Sequence, residues 1–197
     1  MPPSLRRLLA LVLVSLAARL AAADIVVFSR TDFRGAAPAA KEVPGDPAQA
    51  AFLARAQADF SAGAPFDVTF PLINPPAWGR VVHADTAGRL SVRRRFEGGL
   101  VFHLNLERLE PAHTYVLCIN GRPEHPGNEL LPESVPGHEA EKYYDFFTVT
   151  TDAAGRYDGG FALLLKAGAY NVHFYVKDTT DHKIVLYGLE YFDFWVK

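Results

Sequence analysis

The chain predicts an all-β fold, an antiparallel β-sandwich of Greek-key type carrying one short N-terminal amphipathic helix. Three observations predict it. From Pro65 onward, apolar and polar residues alternate in runs of strand length. Turn-forming Gly, Asp and Pro residues separate those runs at intervals of about 8–12 residues, the spacing of sandwiches and barrels rather than of βαβ units. Only one stretch combines helical spacing with capping chemistry.

The first 23 residues read as an export signal. Arg6 and Arg7 form a positive start, Leu8 to Ala18 is an apolar run, and Ala21-Ala22-Ala23 offers small residues for cleavage before Asp24. The run is shorter than the roughly 20 residues needed to span a bilayer, and Arg19 interrupts it. The expectation is a secreted or periplasmic protein with no integral membrane segment after cleavage. Removing three arginines and no acid takes the formal charge from −2 to −5, which argues against a nucleic-acid partner.

Three regions follow: 1–23 as signal, 24–64 as an N-terminal strand, loop and helix packing on the core, and 65–197 as the β domain. Residues 34–45, rich in Ala, Pro and Gly, read as a loop. Asp46 is a good N-cap, Pro47 suits the first helical position, and Gln49 completes a capping-box pattern. Phe52, Leu53, Ala56 and Phe60 then share a face, and Gly63 stops the helix.

Strands are expected around Phe66–Phe70, Leu90–Phe96, Leu100–Leu106 and Thr114–Asn120. Within the third, Phe102, Leu104 and Leu106 face one side and His103 and Asn105 the other. Further strands run from Phe146 to Thr151, Tyr157 to Leu165, Tyr170 to Lys177, Ile184 to Leu189 and Phe192 to Val196. Arg93-Arg94-Arg95 reads as the protection of an edge strand. The single cysteine, Cys118, permits no internal disulfide and suits a buried strand position.

The run Thr151-Asp152-Ala-Ala-Gly155-Arg-Tyr157, followed by Leu164, Ala167-Gly168-Ala-Tyr170-Asn-Val172, resembles the prealbumin-like β-sandwich modules, including carboxypeptidase regulatory-like domains. The similarity covers about residues 146–177 and rests on turn chemistry. It implies an Ig-like or prealbumin-like sandwich in an accessory or adhesive role, with no catalytic residues to carry over. The stretch Phe102 to Tyr115 resembles strand-and-loop segments of copper/zinc dismutase-like sandwiches. That family's closely spaced histidines are missing, because Thr114 and Tyr115 follow His113, and no function is carried over.

Two surfaces compete for function. The connection 121–142 is long, has no strand periodicity, and carries His125, His138 and Glu139 among other acids. Imidazole and carboxylate are ordinary ligands of divalent metals, so this loop is the candidate metal site of a periplasmic metalloprotein or metalloenzyme. The rival surface is aromatic: Trp78, Tyr143, Tyr144 and Tyr175 are candidate contacts for a glycan or protein partner. A third reading is an assembly subunit that adds a strand to a neighbour's sheet. No nucleophile elbow, P-loop or dinucleotide fingerprint occurs. The expectation is therefore a non-enzymatic binding or structural module without a required cofactor, its oligomeric state left open.

Overall fold

The computed structural model describes residues 26–28, 47–121, 142–165 and 167–197. The strands are β1 (Val26–Phe28), β2 (Val68–Ile73), β3 (Ala87–Arg93), β4 (Arg95–Phe96), β5 (Gly99–Glu107) and β6 (Thr114–Gly121). They continue as β7 (Lys142–Thr150), β8 (Tyr157–Leu164), β9 (Gly168–Asp178), β10 (Ile184–Gly188) and β11 (Phe192–Val196). One helix, α1 (Pro47–Ser61), precedes β2. Among the described residues the fold is all-β with a single helix, as the periodicity predicts.

The strands form one mostly antiparallel sheet in the order β1-β8-β5-β3-β2-β10-β9, continuing through β6 to β7. β9 is long enough to serve two partners along one edge: its C-terminal half pairs with β10 and its N-terminal half with β11. The sheet curls into a nearly closed, barrel-like form, and the link between its halves is slight, two residue pairs between β2 and β10. A second link ties β4 in parallel to the end of β11.

The halves face each other across one core. Phe102 on β5 meets Phe146 on β7 (5.7 Å between ring centroids), Phe161 on β8 (5.0 Å) and Phe174 on β9 (5.8 Å). The edge-to-face and offset geometries are those that aromatic quadrupoles favour. Alternation shapes β11, where Phe192, Phe194 and Val196 are buried while Asp193 and Trp195 are not. Phe102, Leu104 and Leu106 are likewise buried, with His103 and Asn105 partly exposed. By contrast, β6 and the C-terminal half of β9 are buried on both faces.

The helix lies on the opposite side of the sheet. Phe52 and Ala56 are buried against Val101 of β5 and Ala162 of β8, with Leu53 at the margin. It therefore covers the outer face of these two strands rather than a sheet edge or end. A Cβ on Gly99 would fall 2.7 Å from the Phe52 ring and 2.1 Å from the Leu163 carbonyl oxygen, so the ring rests where a strand residue lacks a side chain. Gly63, at φ +63°, ends the helix in the left-handed conformation that glycine adopts without a Cβ penalty.

The arginine run is divided: Arg95 lies on β4, at the end of the strand order and paired only with β11 among the described residues, whereas Arg93 lies on β3. β3 is interior, hydrogen-bonded to both β2 and β5. Arg93 instead reaches Asp59 of the helix (3.2 Å) and the Ala64 carbonyl. The Arg94 carbonyl accepts from the Trp195 amide at 2.7 Å, where the chain leaves β3 for β4. Sequence alone cannot distinguish an edge from an interior strand here, because a charge that reaches a helix looks the same as one facing water.

Candidate functional site

Four connections gather at one end of the sheet: residues 74–86 (β2 to β3), 108–113 (β5 to β6), 151–156 (β7 to β8) and 179–183 (β9 to β10). The Thr151-Asp152-x-x-Gly155 turn organises this end. Asp152 Oδ1 accepts from the amides of Ala154 (2.8 Å) and Arg156 (2.9 Å). Those two bonds hold its carboxyl below the ordinary carboxylate range. Thr151 is buried, and its hydroxyl donates to the Glu110 carbonyl (2.6 Å) while accepting from the His113 amide (3.1 Å). The Ala112 amide donates to the Asp152 carbonyl and the Leu109 amide to the Gly155 carbonyl, each at 3.0 Å. The turn thus clamps the loop that carries Glu110 and His113.

On this frame sits a charged cluster. Arg80 pairs with Glu110 (3.0 Å), with Asp178, and through Nε with Asp181 (3.2 Å). His113 Nε2 lies 2.9 Å from Asp178 Oδ2, and its Nδ1 lies 3.5 Å from Glu110 Oε2. Only 1 % of the Asp178 side chain is exposed. Burial pushes its pKa up, but the Thr180 amide at 2.6 Å, His113 and Arg80 outweigh that, and the net shift is downward. Tyr115 packs edge-on against His113 at 4.9 Å, and its hydroxyl accepts from the Glu110 amide at 3.0 Å. Burial pushes the Tyr115 phenol up to about 12, against the lowering effect of that amide, so it stays protonated at any physiological pH. Arg108, Ala112 and His182 are the non-glycine residues with positive φ among the described residues, and all three sit in the two loops around the cluster. Such backbone costs about 1–2 kcal/mol per residue and persists only where surrounding contacts impose it.

Removing the guanidinium tests the cluster's energetics. Breaking a buried pair costs about 3–5 kcal/mol. Arg80 is one-third exposed and His113 remains as a partner, so Arg80→Met is expected to lose about 2 kcal/mol at pH 7. The pKa of Asp178 is lowered in the folded state, so the wild type holds this stabilisation above the unfolded carboxylate pKa. It loses it as pH falls through the folded value. Urea unfolding of both proteins at pH 7 and at pH 3 checks the sign. The gap between them should shrink in acid, and an equal gap at both values contradicts the assignment.

The same end presents an aromatic and aliphatic surface. Trp78 is 55 % exposed, and its ring meets Tyr187 of β10 edge-on at 5.2 Å. Tyr187 pairs in register with Ile73 of β2 on one side and Tyr175 of β9 on the other, so the three side chains share the outer face. Ile73, Val81 and Leu189 are exposed nearby. The Trp78 loop is held firmly. Asn74 donates to the carbonyls of His83 and Ala84, the Gly79 amide to Pro76, and the Arg80 amide to Ile184. A Cβ on Gly79 would lie 2.4 Å from the Pro75 ring and 2.6 Å from the Ile184 carbonyl oxygen, so only glycine fits.

Of the aromatic candidates from sequence, Trp78 and Tyr175 are joined through Tyr187. Tyr175 points away from the core but is only 8 % exposed. Tyr143 and Tyr144 lie on β7, two strands beyond β9, where they pair with Asn120 and Ile119. His125, His138 and Glu139 lie outside the described residues. The strands that flank their loop, β6 and β7, meet it at the opposite end from the charged cluster. His103 pairs with Asp158 at 2.6 Å, and His173 stacks on Tyr191 at 3.6 Å. Cys118 is buried, and its thiol donates to the Ile119 carbonyl at 3.4 Å. Sequence reasoning missed the charged cluster. Only the Glu110–His113 spacing is local, and Arg80 and Asp178 are 98 residues apart.

Compared with known proteins, the chain matches no family model, no curated protein and no solved structure.

Proposed function

We propose that this chain is an exported, non-enzymatic binding module of β-sandwich type that holds a protein partner on the Trp78–Tyr187 surface. The observation that carries the reading is an indole more than half exposed on a loop fixed by five hydrogen-bonding or ring contacts. A rigid aromatic anchor gives up little conformational entropy on binding and is the commonest kind of interface hot spot. The rim favours protein over glycan. Ile73, Val81 and Leu189 offer aliphatic surface, while the nearby Arg80, Glu110 and Asp181 are engaged with one another rather than presented to sugar hydroxyls. The sandwich-type reading is supported by two sheet halves packed over one core, and the export reading by the N-terminal apolar run.

Trp78→Ala should weaken partner binding by about 2 kcal/mol, roughly thirtyfold, and Tyr187→Ala by somewhat less, with unfolding curves little changed. The mature protein carries two tryptophans, so Trp195→Phe leaves Trp78 as the only indole and its emission as a direct reporter. A protein captured from the export compartment that shifts this emission, and is released by Trp78→Ala, supports the reading. Trp78-dependent retention on a glycan array instead moves the ligand to carbohydrate. Capture that ignores both substitutions removes the surface from consideration.

A further inference from the structure

We infer that the Glu110–His113–Asp178 cluster is a divalent metal site of the zinc class, in which the ion exchanges with the Arg80 guanidinium. The donor set is the first reason. One oxygen from each carboxylate and one imidazole nitrogen lie within 4.8 Å of one another. Zinc bonds of about 2.0–2.2 Å to such atoms place tetrahedral ligands about 3.3 Å apart, so binding draws the donors together and turns one His113 nitrogen to both carboxylates, in place of the separate contacts of Nε2 with Asp178 and Nδ1 with Glu110. Mixed imidazole and carboxylate ligation suits zinc and its neighbours and leaves a fourth position for water.

The charge balance is the second reason. Three carboxylates, those of Glu110, Asp178 and Asp181, face one permanent cation, Arg80. The carboxylates outnumber this permanent cation by two, and one of them is almost fully buried. A divalent ion on Glu110, His113 and Asp178 neutralises that excess. It also leaves Arg80 a partner of its own, since its Nε already lies 3.2 Å from Asp181. The exchange therefore turns one under-compensated cluster into two neutral units.

The third reason is preorganisation. Asp178 Oδ1 is held by the Thr180 amide, which leaves Oδ2 toward His113. The backbone on both sides of His113 is fixed by Thr151 through its hydroxyl and amide. A site whose ligands are locked by an outer layer of hydrogen bonds loses little entropy on binding an ion. The site uses none of the residues of the 121–142 connection and does not depend on the Trp78 reading.

The test is calorimetric titration of the chelator-stripped mature protein with zinc chloride. One saturable site is expected in the wild type. Glu110→Gln and His113→Ala should each weaken it at least tenfold, and Arg80→Met, which removes the competing cation, should tighten it about tenfold. Zinc should also raise the urea midpoint of Arg80→Met but not of the Arg80→Met/His113→Ala pair. If His113→Ala does not fold, Glu110→Gln alone decides, because that side chain is 41 % exposed and the amide keeps its shape. No saturable site in the wild type overturns the proposal. So does binding that survives Glu110→Gln and His113→Ala and is lost with His125→Ala/His138→Ala, which assigns the ion to the other loop.

Discussion

Phe102→Ala is expected to cost about 3–5 kcal/mol, a large share of the 5–15 kcal/mol by which domains of this kind are stable. Phe102 is fully buried, and its ring touches Phe146, Phe161 and Phe174, which come from three other strands in both halves of the sheet. The backbone at this point is pinned by pairing on both sides, Phe102 with Val92 of β3 and with Phe161 of β8. The site therefore has little freedom to collapse, which puts the cost toward the upper end of the range. Phe102→Leu should recover more than half of it by refilling most of the volume. Urea denaturation read by far-ultraviolet circular dichroism checks both. A loss under 1 kcal/mol for the alanine variant means that the two halves do not share this core.

Gly155→Ala should be nearly as damaging, although it adds only one methyl group. Gly155 has φ +69°, which costs a residue with a Cβ about 1–2 kcal/mol. The added carbon would also lie 2.0 Å from the Leu109 carbonyl oxygen, a backbone atom that cannot swing aside. Relief requires the turn to move off the Leu109–His113 loop, breaking the Leu109 amide to Gly155 carbonyl bond. Overpacking adds about 1–3 kcal/mol, so a total near 3 kcal/mol is expected. The variant should disturb Glu110 and His113 before it disturbs the Phe102 core. Hydrogen exchange is the discriminating measurement: the amides of Leu109 and Ala112 should lose protection first. Uniform loss across all strands contradicts a local clamp.

Gly155 also shows what the sequence carried and what it could not. The Thr151-Asp152-x-x-Gly155 pattern was legible as a turn, because Asp accepting from amides two and four residues on, and glycine at positive φ, are local chemistry. Its partner was not legible. That Thr151 grips Glu110 and His113 depends on packing between residues about 40 positions apart. The aromatic surface divides the same way. Trp78 was visible as an unusual residue after Pro75-Pro76, whereas Tyr187, which supports it, reads as an ordinary strand residue until β10 is placed beside β2.

The alternation of apolar and polar residues by itself determined most of the strands and the all-β class, because side-chain direction in a strand has a period of two, but not that β6 and the end of β9 are covered on both faces. Pro47, Gly63 and the spacing of Phe52 and Ala56 likewise determined the helix. Only the tertiary structure decided strand order, the placement of α1 over the outer face of β5 and β8, and the interior position of β3. It alone assembled Arg80, Glu110, His113, Asp178 and Asp181 from three loops and the end of β9. Local periodicity records which way a side chain points, not which distant strand it will meet. A site built from loop ends exists only once long-range pairing has brought those ends together.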